Sequence, residues 1–270
     1  MSTPVISFFN NKGGVGKTSL VYHLSHMYAE LGVRTLAVDL DPQANLGIGA
    51  GLDHDGVAPA LYEVLTQGVR LEAAAQRPTQ KGLETLSIVH AGARLAQAEG
   101  ELLGRPGFDE LLKSSLRTSA GSWDLAVLDC PPSLGPLTIN ALGSADLVVV
   151  PVQCEFFSAR GVVKLLEVVE LVRERRNRDL QVRLVPTLYD QRNAIQKAVL
   201  AQLRAELGAD VSDTVIGIDT KIREAQAKGI PIGLYAPKAR AAEAYAELSR
   251  EVLTLAWSRA QRAAARGEAA

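Results

Sequence analysis

"NNKGGVGKTS", residues 10–19, ends as a phosphate-binding loop ends but begins differently. Counted back from Gly16-Lys17-Thr18, the G-x-x-x-x-G-K-[ST] pattern calls for glycine at position 11. Asn11 stands there instead, followed by a second lysine, Lys12. The stretch follows an apolar run that predicts a strand over 5–10 and leads into a helical pattern starting near residue 18, which is the context a phosphate loop needs. Gly13, Gly14 and Gly16 let backbone N–H groups approach phosphate oxygens, and the helix N-terminus adds partial positive charge. On this reading Lys17 meets the β- and γ-phosphates of ATP, the Thr18 hydroxyl ligates Mg2+, and Val15 and Ser19 complete the nucleotide-binding loop.

Working outward, apolar β-rich runs alternate with helical patterns at spacings too long for hairpins. The runs at 5–10, 35–39, 86–90, 125–129, 147–152, 183–187 and 215–218 predict strands. Helices are predicted near 18–31, 94–117, 136–145, 158–177, 193–207 and 237–264. Near-continuous apolar strands such as "DLVVVPV" suit a sheet covered on both faces. The expected fold is therefore α/β, a three-layer, doubly wound, mostly parallel sheet of the P-loop NTPase type. One domain is expected over residues 1–265, with a frayed tail at 266–270.

Ligands of such sheets sit at the carboxyl ends of the strands, and three aspartates fall there. Asp39 and Asp41 close the second strand in "VDLDPQAN", and Asp129 closes the fourth in "LAVLDCPPS". Asp129 reads as the Walker B group holding a magnesium-bound water, with Asp39 able to share that shell through water. Asp41, two residues further out, could orient the attacking water.

Composition narrows the classes. At 270 residues, 47% hydrophobic and 22% charged, the chain can bury a large core. It shows neither a membrane-spanning apolar run nor a basic leader before its first strand, so a cytoplasmic protein is expected. Cys130 and Cys154 lack C-x-x-C spacing, which disfavours a zinc site or a disulfide framework. The net charge of −1 conceals an asymmetry: residues 1–150 carry 10 Lys and Arg against 15 Asp and Glu, and residues 151–270 carry 19 against 15. A basic rear half is a candidate surface for a polyanion.

Taken together, "KGGVGKT", "DLDPQAN", "DCPPSLG", "VPTLYDQR" and "GLYAPKARAAEAY" resemble the ParA/Soj partition ATPases of the deviant Walker A group, which also includes MinD. The resemblance runs from about residue 4 to 255. It implies that Lys12 crosses a dimer interface to the partner subunit's nucleotide and that Asp41 is the catalytic aspartate. ATP would close a homodimer that binds double-stranded DNA without sequence preference, and slow hydrolysis, stimulated by a ParB-type protein, would release it. Nucleoid association follows from that cycle. Matching DNA-contact positions are Arg192, Lys221 and Arg223, with Lys238 and Arg240 in a further basic motif. Departures are Lys221 where the family usually has arginine, Arg223 two places later, and Gln226 where proline is frequent. With four residues before the first strand, no N-terminal helix-turn-helix domain is expected.

Rival classes are a MinD-like membrane ATPase, a ParA-like ATPase that positions a non-DNA cargo, an iron protein of the nitrogenase type, and a scaffold without hydrolysis. "WSRAQRAAARGEAA" has too weak an apolar face to anchor in a membrane alone. Neither cysteine lies in a Gly-rich cluster loop. Asp41, Lys17 and Thr18 together argue against a scaffold.

Overall fold

With no hairpin turn between them, the apolar runs must return by crossovers and pair in parallel. A computed structural model of the chain, described over residues 3–52, 59–155 and 158–265, has this arrangement. The strands are β1 (Val5–Phe8), β2 (Thr35–Asp39), β3 (Leu86–Val89), β4 (Leu125–Asp129), β5 (Leu147–Gln153) and β6 (Gln181–Thr187). They form one sheet in the order β3-β2-β4-β1-β5-β6, and every pairing is parallel.

The helices, in chain order, are α1 (Lys17–Glu30), α2 (Asn45–Gly49), α3 (Leu61–Gln67), α4 (Leu71–Ala74), α5 (Leu95–Leu103), α6 (Leu111–Thr118), α7 (Pro136–Ser144), α8 (Ser158–Arg175), α9 (Ala194–Leu207), α10 (Thr220–Ala227), α11 (Ile232–Tyr235) and α12 (Arg240–Ala265). Strand residues alternate between two cores. On β4, Leu125 and Val127 pack with Val21, Leu24 and Tyr28 of α1 and with Leu248 and Val252 of α12. Ala126 and Leu128 face the opposite core, with Leu137 of α7 and Val169 of α8. Apolar residues are thus needed at consecutive positions, and three layers result.

The connection from β1 through α1 runs past β4 to β2, whereas that from β4 through α7 runs past β1 to β5. Opposite departures open a crevice at the carboxyl ends of β1 and β4. Register places Phe8 opposite Asp129 and Asp39 opposite Asp129, so the loop after β1 and two aspartates share one level.

Several predicted boundaries need correction. The segment 215–218 is not a strand of the sheet: Gly217 forms an isolated bridge with Tyr189, and Val211 another with Leu184. Its bonds switch between the end of β6 and the loop beyond it, as Ile216 N donates to Pro186 O at 2.9 Å and Ile218 N to Tyr189 O at 3.1 Å. The predicted helix 94–117 is two helices, α5 and α6, interrupted at Gly104-Arg105-Pro106-Gly107, where Gly107 takes φ +71° and proline cannot continue the hydrogen-bond ladder. The helices α2, α3, α4, α10 and α11 are too short for apolar periodicity to reveal. The expected frayed tail, 266–270, lies outside the described residues. No helix among the described residues is long and apolar enough to cross a membrane.

Candidate nucleotide-phosphate site

The loop between β1 and α1 is held from outside. The Asn10 amide donates to Pro151 O of β5 at 2.8 Å, and Lys12 N donates to Asn10 Oδ1 at 2.9 Å. Val15 is buried, and its carbonyl accepts from the Thr187 hydroxyl at 2.8 Å, tying the loop to the end of β6. Gly14 and Gly16 have φ of +72° and +96°, backbone that side chains rarely adopt. A Cβ on Gly13, Gly14 or Gly16 would meet nothing within 4 Å, so the glycines leave open space inside the loop instead of avoiding protein neighbours. The first turn of α1 carries no acidic residue and no side-chain cap, which leaves its N–H groups and dipole to an anion.

The two lysines of the loop occupy different environments. Lys17 opens α1 and is 7% exposed; its ammonium donates to the carbonyls of Asn10 and Lys12 at 3.1 and 3.2 Å. Burial lowers its pKa, while the charges of Asp129 and Asp41 act in the opposite direction. Lys12 lies outside the cavity lining. Its side chain is 53% exposed, and its ammonium reaches Gln153 Oε1 at 2.8 Å and Glu155 at 3.2 Å, beyond the end of β5.

Three aspartates converge as the strand ends require. Asp39 is fully buried and accepts from Asp41 N (3.1 Å), Leu46 N (3.1 Å) and Gly47 N (3.3 Å); burial still raises its pKa to about 7. Asp129 is also fully buried, and neither carboxylate oxygen has a hydrogen-bond partner among the described residues. Burial and then the charge of Asp39 raise its pKa well above the usual carboxylate value. The Thr18 hydroxyl lies against this carboxyl without closing a bond of normal geometry. An orphaned buried carboxylate beside a threonine hydroxyl fits a hydrated hard cation. Asp41, 9% exposed, accepts from Gln43 N at 3.0 Å and lines the cavity.

That cavity has a volume of about 690 Å³. The phosphate loop and Asp41 form one end; Thr187, Leu188 and 216–219 line the side reached by the sheet, and Ile222, Arg223 and Gln226 come from α10. Among the described residues, the two non-glycine residues with positive φ, Ala44 (+55°) and Leu188 (+51°), both sit in loops bordering this space. Such conformations cost about 1–3 kcal/mol and concentrate at functional sites.

Of the basic residues expected to meet DNA, Arg192 is 90% exposed in its side chain and paired with Asp190 at 2.9 Å, which holds that carboxyl below its usual range. Arg192 and Arg240 line a second cleft of about 630 Å³. Lys221 pairs with Glu224 at 2.8 Å, and Lys238 is exposed. Arg223 is separated from them and lines the nucleotide-sized cavity. Sequence reading overlooked Gln153 and Glu155 as partners of Lys12, although the strand-end rule that picked out Asp39 and Asp129 applies equally there. It also overlooked Tyr245 of α12, whose hydroxyl is 3.0 Å from Ser19 Oγ; a separation of 226 positions leaves no local signal for that contact. Cys130 and Cys154 are buried, with thiols pushed up by burial, Cys154 to about 11.

A family model described as an AAA domain matches residues 3–182. The sporulation initiation inhibitor protein Soj of Bacillus subtilis is 37% identical over 249 residues, covering 92% of this chain and 97% of Soj. The chromosome partitioning protein ParA of Myxococcus xanthus is 35% identical over 250 residues, covering 92% of this chain and 87% of that protein. Among solved structures, a cobyrinic acid a,c-diamide synthase from Mycobacterium smegmatis, with bound ATP analogue and magnesium, superposes with a TM-score of 0.82 at 35% identity, over 93% of this chain and 94% of that one. Family match, sequence identity and superposition agree, and the chain belongs to the ParA/Soj family of P-loop ATPases in the MinD/ParA superfamily.

Proposed function

We propose that this chain is a single-domain partition ATPase, over residues 1–265, that binds ATP and Mg2+, closes into a homodimer on ATP, holds double-stranded DNA without sequence preference and lets go on hydrolysis. The fold alone does not choose this reading, since a diamide synthase and partition proteins share it at comparable identity. The observation that carries it is the position of Lys12: an exposed cation on the outer limb of the loop, directed away from its own cavity toward Gln153 and Glu155. A second subunit's phosphates are the natural counter-charge for such a group.

Within one subunit, the loop N–H groups and Lys17 bind the β- and γ-phosphates, and Asp41 orients the attacking water. Thr18 would hold magnesium, with Asp129 and Asp39 holding its waters, and the ion would supply charge stabilisation to the phosphates. Lys17 is already aimed, because backbone carbonyls hold it and a phosphate need only displace neutral dipoles. No side chain forms a covalent bond, so turnover is expected to be slow until a ParB-type partner completes the site. Arg192, Lys221, Lys238 and Arg240 are the proposed DNA contacts, giving a cytoplasmic, nucleoid-bound protein.

Steady-state ATPase measurements with and without duplex DNA and with anionic liposomes test this reading. Stimulation by DNA together with partner protein supports it. Stimulation by liposomes alone would favour a MinD-like membrane ATPase, and retention of ATPase activity without DNA binding would favour a non-DNA cargo.

A further inference from the structure

The first turn of α1 is tied to the C-terminal helix α12 by a pair of hydroxyls. The Tyr245 hydroxyl stands 3.0 Å from Ser19 Oγ, and both residues line the cavity that contains the phosphate loop. Ser19 is the third residue of α1, in the turn whose N–H groups are left to an anion. It is half-buried, whereas Tyr245 is 2% exposed, and burial raises the pKa of the phenol, so that hydroxyl keeps its proton. The tyrosine ring is fixed as well. His23 packs against it in a T-shaped contact, 4.8 Å between centroids, and His23 Nδ1 accepts from Ile232 N at 3.2 Å.

Hydrogen-bond satisfaction gives the pair a direction. Among the described residues, Ser19 Oγ is the hydrogen-bond partner of the Tyr245 hydroxyl. If Ser19 donated, the phenol proton would be buried without an acceptor, at a cost of about 1–3 kcal/mol. If Tyr245 donates, both groups are satisfied, because the half-buried serine can turn its own proton into the cavity. An ionised phosphate accepts and does not donate, so an anion in the cavity favours the same direction. We propose that Tyr245 is a positioning residue for nucleotide binding: it donates to Ser19 Oγ, fixes that side chain in the first turn of α1, and leaves the serine proton for the anion this turn binds. This assignment rests on the nucleotide reading of the cavity. Because α12 opens at Arg240, which lines the second cleft, the hydroxyl pair also joins the nucleotide's helix to the helix of a proposed DNA contact.

Titration calorimetry with ADP and magnesium on the wild type, Y245F, S19A and the double variant tests this, with thermal melts of the free proteins alongside. Y245F deletes one oxygen from a ring that stays packed, so the variant should fold. It should weaken ADP about three- to tenfold, the range of one neutral hydrogen bond, and S19A should weaken it by at least as much. In the S19A background, Y245F should leave ADP affinity unaltered, since the acceptor through which the tyrosine acts is gone. There it should raise the melting temperature, since it removes a buried hydroxyl left without an acceptor. A merely structural tyrosine would lower the melting temperature of Y245F and leave ADP affinity at the wild-type value, and that result would overturn the proposal. Wild-type affinity in S19A would overturn it too, as would losses that multiply in the double variant, which would make the two residues independent. Failure of the wild type to bind ADP would overturn the nucleotide reading of the cavity, and this assignment with it.

Discussion

Replacing Lys12 by alanine should uncouple folding and nucleotide uptake from dimerisation. The lysine is about half exposed, and its partners are Gln153 at 2.8 Å and Glu155 at 3.2 Å, the latter 54% exposed in its side chain. Exposed pairs of this kind contribute roughly 0–1 kcal/mol to stability, so the melting temperature should fall by no more than about 2–4 °C. Lys12 does not line the cavity, so ADP affinity should remain near the wild-type value. If the ammonium instead serves the partner's phosphates, a two-fold dimer loses the contact twice. At about 1.5–3 kcal/mol for each charged hydrogen bond, the dimer is weakened by about 3–6 kcal/mol, or 10²–10⁴-fold in its dissociation constant. Light scattering across a concentration series with a non-hydrolysed ATP analogue reads this directly. A K12A dimer of unchanged affinity would refute the trans role, and so would loss of ADP binding in the monomer.

Asp41→Ala should slow hydrolysis at least tenfold while leaving ATP binding intact, and normal turnover would shift the water-orienting role to Asp39. Arg192→Glu and Lys221→Glu should each weaken binding to unrelated duplexes alike and make the slope of log affinity on log salt shallower by about 0.9 for each phosphate lost; gel shifts at several salt concentrations measure both. His23 is buried against His26, the Tyr245 ring and Ile232 N, and burial lowers its pKa to about 3, so protons bind the unfolded chain in preference to the folded one below pH 6.5. Stability should therefore fall from pH 6.5 toward pH 3, by about 2 kcal/mol at pH 5 from this residue, and urea titrations of His23→Gln should lack that share. Asp129→Asn replaces a buried, unpartnered carboxyl group and should raise the melting temperature without ligand while removing the extra stabilisation that magnesium adds to ADP; ligand binding at a hundredfold excess over the dissociation constant stabilises the wild type by about 2.7 kcal/mol.

What could be read from the sequence was whatever obeys a local rule. Apolar runs such as 147–152 identified strands because both faces of the sheet are covered, and glycines beside Lys17-Thr18 identified the loop because no other residue leaves that space. Asp39, Asp41 and Asp129 followed from their positions at strand ends. Features set by distant partners stayed hidden. Gly229, at φ +63°, packs against Gly49 O and accepts from Tyr22 and Gln80, a junction assembled from four separate segments. The segment 215–218 has strand-like composition, but its backbone divides its bonds between β6 and the following loop, and propensity cannot detect that. Arg223 and Lys221 looked equivalent as neighbouring cations until the helix between them put them on opposite sides.

The same helical and loop geometry accounts for the second lysine. Lys12 and Lys17 are identical in chemistry and five positions apart, yet the left-handed turns at Gly14 and Gly16 reverse the chain between them. One ammonium is carried into a buried acidic pocket and the other out to the edge of the sheet. Lys17 is held there by two neutral carbonyls, a weaker arrangement than a phosphate can offer, so it is aimed without being committed. Lys12 is held by one amide and one half-exposed carboxylate, partners that solvent screens and a closer anion can displace. Asp129 meanwhile remains buried without a partner, at a cost to folding that a magnesium-bound nucleotide would offset. On the proposed reading, one cation inside the site, one outside it and a buried carboxylate without a partner divide the work between two subunits. The ligand would then supply the metal and the anion and a second subunit the further cation, which would make assembly and nucleotide binding a single coupled equilibrium.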